Sequence, residues 1–100
     1  MKVAGSETVS VTVELFGHAR LVCGVKHIDI ELPLESDATD FATALCSAVP
    51  SLRGTAIDEA GRNLMTSYTA NINGLSFLGN SAIRINNGDR IFVFSSQAGG

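Results

Sequence analysis

The stretch GDRIFVFSSQAGG, Gly88 to Gly100, decides how this chain is read. Its first two residues finish a turn cluster, Asn86-Asn87-Gly88-Asp89, built from residue types that supply positive φ or bond to their own backbone. The next five, RIFVF, are rich in β-branched and aromatic residues, which predicts a strand. Alternation puts Ile91 and Val93 on one face of that strand and Phe92 and Phe94 on the other. A sheet covered by one helix buries a single face. One assignment makes the two phenylalanines the core pair. The other buries Ile91 and Val93 and leaves Phe92 and Phe94 toward solvent; we favour it, because β-branched residues suit the helix-covered face. Large apolar groups clustered in solvent mark a protein contact, and aromatics are typical anchors there. Arg90 and Arg84 are either polar contacts of that surface or solvated charges. Ser95, Ser96, Gln97, Ala98, Gly99 and Gly100 then form a small, polar tail that reaches about 20 Å when extended. Glycines without Cβ atoms let a backbone enter a narrow channel. The plainer alternative is a frayed chain end.

Working outward, residues 8–16 alternate strictly, with Val9, Val11, Val13 and Leu15 on one face and Thr8, Ser10, Thr12 and Glu14 on the other. Residues 25–32 alternate again, with Ile28, Ile30 and Leu32 inward and His27, Asp29 and Glu31 outward. Two such runs joined by a short connection between Gly17 and Gly24 predict an antiparallel hairpin. Pro33 ends the second run. The period then changes. Phe41, Ala42, Leu45, Cys46 and Val49 make one apolar helical stripe, with Asp37 or Thr39 as its cap, Asp40 at its positive end and Pro50 as its stop. Residues 51–67 keep no period and are expected to be irregular, with a helical turn near Ile57–Ala60. Residues 68–73 alternate once more and meet Asn73-Gly74, a tight-turn signal, from which a short strand at 76–78 returns. The first and last strands carry the strongest apolar runs, which suits neighbouring central positions. The order predicts one α+β domain, a mixed β-sheet packed on one main helix, over residues 1–94, with a flexible tail at 95–100.

Composition narrows the function classes. One hundred residues with 45% hydrophobic and 17% charged residues make one small folded domain. A net charge of −3 and seven scattered Lys and Arg do not suit nucleic acid, which asks for a clustered basic face. No apolar run spans a bilayer and the first ten residues hold no signal-peptide core, so a soluble, cytoplasmic protein is expected. Cys23 and Cys46 fit no metal or redox spacing; a disulfide between them stays open, while a buried free thiol is the simpler reading of Cys46. His18, opening a loop, and His27, on a strand, read as ordinary histidines, so no metal site is expected.

The order of elements together with GDRIFVFSSQAGG resembles the MoaD/ThiS family of ubiquitin-like sulfur carriers. Residues 37–54, DATDFATALCSAVPSLRG, resemble that family's capped helix followed by Pro and Leu-Arg. Residues 57–78, IDEAGRNLMTSYTANINGLSFL, resemble the DE-G-R and V-N-G stretch of its longer members. Two departures stand out. Ser95-Ser96 replace the prolines of many molybdopterin-type members, and no acidic residue follows Asn73-Gly74. The length and the DE-G-R segment lean toward the molybdopterin-type or cysteine-biosynthesis-type branch.

The resemblance implies a ubiquitin-like β-grasp fold and a co-substrate rather than an enzyme. An activating enzyme resembling the ubiquitin-activating enzymes would use ATP and Mg²⁺ to adenylate the Gly100 carboxylate and exchange AMP for sulfur. Gly99 would admit Gly100 to the pocket, and Phe92, Phe94, Arg90, Ser95, Ser96, Gln97 and Ala98 would meet the partner. The resulting thiocarboxylate would serve an acceptor enzyme of the molybdopterin-synthase or cysteine-synthase type, with no cofactor bound by the chain itself. Two other readings stay open. One is a protein modifier joined through Gly100 to lysines; the other is a ubiquitin-fold interaction module whose tail is inert.

Overall fold

The computed structural model describes residues 7–96. Strand β1 (Thr8–Leu15) buries Val9, Val11, Val13 and Leu15 in alternation, as its sequence predicts. It pairs antiparallel with β2 (His27–Pro33), Val11 opposite Ile30 and Thr8 opposite Pro33. Pro33 is thus the last paired residue of the strand rather than a residue beyond it.

The connection between them is not a simple loop. Residues Gly17–Cys23 form helix α1, and Gly24 closes it in the left-handed conformation at φ 71° with its N–H on the Arg20 carbonyl at 2.9 Å. His18 therefore lies in a helix, not at the mouth of a loop. Only Ala19 of this helix is buried, while Leu21 and Val22 are exposed, so its apolar residues carry no helical stripe. Without that stripe, periodicity could not reveal the helix.

After the two-residue strand β3 (Glu35–Ser36), helix α2 (Ala38–Ala48) starts on a capping box. The Asp40 N–H donates to Asp37 Oδ1 at 2.9 Å, and the Asp37 N–H donates to Asp40 Oδ2 at 3.1 Å. Phe41, Ala42, Leu45, Cys46 and Val49 are all buried, which confirms the predicted stripe. A 3₁₀ turn at Pro50–Leu52 follows. Cys23 and Cys46 are free thiols, the first half-buried and the second buried.

Residues 53–67 differ from expectation. No helical turn forms at 57–60; Ile57 makes isolated bridges to Arg53 and Leu64 instead. Ala56 and Ile57 are fully buried, so this segment contributes to the core. The carboxylate of Asp58 organises its turn, accepting from the N–H groups of Arg62 at 3.0 Å and Asn63 at 3.3 Å. These bonds, led by the one from Arg62, hold its pKa below the usual aspartate value.

The chain then returns as β4 (Tyr68–Ile72), β5 (Ser76–Phe77), β6 (Ile83–Arg84) and β7 (Arg90–Ser95). Asn73 and Gly74, at φ 56° and 74°, make the tight turn that their residue types predict. The main sheet runs β2-β1-β7-β4-β5, with β1 and β7 parallel and every other pair antiparallel. The first and last strands are interior neighbours, as expected from their apolar runs. A second sheet joins β3 to β6. It places Arg84 opposite Glu35, on a different sheet from Phe92 and Phe94. No helix among the described residues is long and apolar enough to cross a membrane.

Candidate functional site

Strand β7 is fixed at both ends by hydrogen bonds that its flanking residues supply. At its start, Asp89 Oδ2 accepts from the Asn86 N–H at 2.9 Å, which closes the turn on itself. The Gly88 N–H donates to the Ser10 carbonyl at 2.9 Å, and Asn87 Oδ1 accepts from the Ser10 N–H at 2.8 Å. From the other side, Asn73 Oδ1 accepts from the Arg90 N–H at 2.9 Å, and Asn73 Nδ2 donates to Asp89 Oδ1 at 3.1 Å. The asparagines that signal turns in the sequence therefore also set the register of the central strand.

Between those ends the strand presents two different faces. Ile91 and Val93 are fully buried, while Phe92 and Phe94 are half-buried on the side away from the core. Of the two assignments left open by alternation, this is the one in which the aromatics face outward. They do not stand alone. Phe16, just past the end of β1, is 41% exposed and lies with its ring centroid 6.2 Å from that of Phe92, tilted by 43°. The register also sets Phe92 beside Asn71 of β4, and Asn71 beside Phe77 of β5, which is 64% exposed. Phe16, Phe92, Phe94, Asn71 and Gly74 line an open pocket of about 520 Å³. Arg90 lies at the margin of this face in an ion pair with Glu14.

The far end of β7 is anchored too. Ser95 pairs with Tyr68 as the last residue of the strand, although the sequence suggests that the tail opens there. The Ser96 N–H donates to the Ser67 carbonyl at 2.7 Å, and its hydroxyl donates to the Thr66 carbonyl at 3.1 Å. Gln97, Ala98, Gly99 and Gly100, the other expected site residues, lie outside the described residues.

Phe16, Phe77 and Asn71 join the face without being expected there, yet the sequence carries a signal for each. Phe16 continues the parity of Thr12 and Glu14, so it belongs to the outer face. Asn71 shares its parity with Thr69, and the chain that turns at Asn73-Gly74 returns through a three-residue loop, 73–75, which sets Phe77 against it.

The element order, mixed sheet and helix packing are those of the ubiquitin-like β-grasp class of small domains. Solved structures share the fold over nearly their full length. The chain is similar to SAMP1 from Haloferax volcanii, with a TM-score of 0.71 at 22% identity over 91% of this chain and 99% of that one. Small archaeal modifier protein 1 from Methanosarcina acetivorans gives a TM-score of 0.69 at 21% identity, over 95% and 100%. Subunit 1 of a molybdopterin converting factor from Pyrococcus furiosus gives 0.63 at 22% identity, over 87% and 97%. At such identities the likeness establishes the fold. It agrees with the resemblance to the MoaD/ThiS family carried by the last strand and tail. No family model and no curated protein sequence matches the chain.

Proposed function

We propose that the chain is a sulfur carrier whose reactive group is the main-chain carboxylate of Gly100. A carboxylate is a poor electrophile because its charge repels nucleophiles and resonance stabilises it. An activating enzyme would overcome this with ATP and Mg²⁺: a carboxylate oxygen attacks the α-phosphorus and pyrophosphate leaves. A reduced sulfur nucleophile then attacks the acyl carbon and AMP leaves, giving a thiocarboxylate. That group would donate sulfur inside an acceptor enzyme of a pathway such as molybdopterin or cysteine synthesis.

The observation that supports this reading most is the union of an aromatic outer face on β7 with a chain that leaves it toward Gly99-Gly100. The face would be the address and the carboxylate the handle. Every catalytic group would belong to the partners. Phe92 and Phe94 would anchor the activating enzyme, while Arg90, Ser95, Ser96, Gln97 and Ala98 would guide the chain into its site.

Incubation of the full chain with ATP, Mg²⁺, an active activating enzyme and a sulfide-level donor tests the reading. The intact mass should rise by the difference between sulfur and oxygen, localised to Gly100. An unchanged mass with a partner verified as active overturns it. A second reading is supported by the likeness to proteins described as archaeal modifiers. In it the same adenylate yields an isopeptide bond to a lysine, and conjugates on a gel that vanish on removal of Gly99-Gly100 would favour it over sulfur transfer.

A further inference from the structure

Asn71 is the anomaly of the aromatic face. It stands between Phe92 and Phe77 across the sheet and is 9% exposed, and its Oδ1 is covered with no hydrogen-bond partner. It is the only buried side-chain oxygen or nitrogen without a partner among the described residues. An amide oxygen buried without a donor carries its full desolvation penalty, and folded proteins rarely keep such atoms. This one lies in the lining of the 520 Å³ pocket, where every other lining residue is phenylalanine or glycine.

We propose that this pocket receives from the docking partner one aromatic side chain with a neutral donor, an indole N–H or a phenol O–H, and that Asn71 Oδ1 accepts its hydrogen bond. The proposal rests on the reading of this face as a docking surface and names the chemistry that would fill it. The lining suits the other anchors less well. A cationic anchor would meet ring faces and the Asn71 oxygen but no carboxylate to balance its charge, since Glu14, the acid beside Phe92 in register, is already paired with Arg90. A purely aliphatic anchor would leave Oδ1 orphaned in the complex as in the free chain. A small polar side chain would satisfy Oδ1 and leave the phenylalanines unfilled. An aromatic body fits the remaining requirement, because Phe16 and Phe92 already stand in the tilted arrangement that a third ring can join. Oδ1 is covered in the free chain, so the bond would form as the entering ring displaces part of the lining, whose Phe16 and Phe92 are both at least partly exposed. The penalty carried by the free chain is then relieved only by a partner with the donor, which makes Asn71 a specificity device.

Two small probes isolate the hydrogen bond: indole, and 1-methylindole, which keeps the ring and lacks the donor. Each is titrated into the ¹⁵N-labelled full chain and followed by two-dimensional NMR. Both should shift the signals of Phe16, Phe92, Phe94 and Asn71, with indole binding about fivefold tighter, the worth of one hydrogen bond. Asn71→Leu should keep 1-methylindole binding and erase the preference. Its melting temperature should match or exceed the wild type, because an apolar group replaces an unpaired oxygen. Phe92→Ala, which removes one ring of the lining and keeps Asn71, should weaken both probes. Equal affinity for the two probes, a preference that survives Asn71→Leu, or no shift at these residues overturns the proposal. Failure of the Gly100 mass change with the indole preference intact breaks the sulfur-carrier reading alone. The converse result breaks only this one.

Discussion

Within β7, Ile91 and Val93 have no exposed surface, whereas Phe92 and Phe94, which alternate with them, remain half-exposed. The larger, aromatic pair is the one left outside. Burial of Ile91 and Val93 stabilises the fold by about 1.5–3 kcal/mol for each side chain. The phenylalanines, seated among Phe16, Asn71 and Gly74, forgo part of that gain. The difference teaches that one strand serves two separable purposes, with its inner residues holding the sheet together and its outer ones forming the aromatic face that the proposed function assigns to a partner.

The contrast is broken most directly from the inside. Ile91→Ala should destabilise the domain by about 2–5 kcal/mol. Urea unfolding should show the loss as a lower midpoint at unchanged slope. Phe92→Ala should behave differently. Its cost to stability should stay below about 2 kcal/mol because the ring is only half-buried. Its cost to partner binding should reach about 2 kcal/mol, roughly a thirtyfold loss in kcat/KM for activation. If Phe92→Ala unfolds the chain as readily as Ile91→Ala, the two faces are not separable.

Smaller effects sharpen the boundary. Arg90→Ala removes an ion pair at the rim and should change stability by only about 0–1 kcal/mol. Raised salt should shrink that difference further, which a melt at two ionic strengths can read. The smallest effect comes from Asp58, away from β7. Its folded pKa is lowered by the N–H groups of Arg62 and Asn63, so its contribution is fully present above the unfolded value of 3.8. It is lost as pH falls through the lower folded value. A carboxyl titration by NMR should place the midpoint below 3.8, and a midpoint at or above it would remove the acid-side contribution.

Much of this is legible in the sequence. Strict alternation in 8–15 placed four residues in the core, and the stripe from Phe41 to Val49 placed five more. Those signals are strong because side-chain period and burial are the same fact in an amphipathic element. Helix α1 stayed hidden because it buries only Ala19 and exposes Leu21 and Val22. The segment 53–67 stayed hidden for the opposite reason. It buries Ala56 and Ile57 through turns and single bridges, which leave no repeating pattern. In the candidate site, parity set Phe92 and Phe94 on one face, and the fit of β-branched Ile91 and Val93 to the helix-covered side chose that face as the outer one. The pocket could not be found in this way, because Phe16, Asn71 and Gly74 come together only once β1, β4 and β7 are in register.

The two hydrogen bonds of Ser96 turn the end of the strand into the zero mark of a ruler. Counted from Ser95, the chain to Gly100 would offer about 20 Å of reach. Counted from the loop at Thr66 and Ser67 that holds Ser96, only four residues separate the body from the Gly100 carboxylate, at most about 14 Å when extended. If the proposed function holds, an enzyme acting on that carboxylate would have to bring its catalytic centre within this radius while its surface rests on the phenylalanines. Under the proposed function the depth of a partner's channel would follow from this length, and adding or deleting one residue after Ser96 would shift the Gly100 carboxylate by a full residue length.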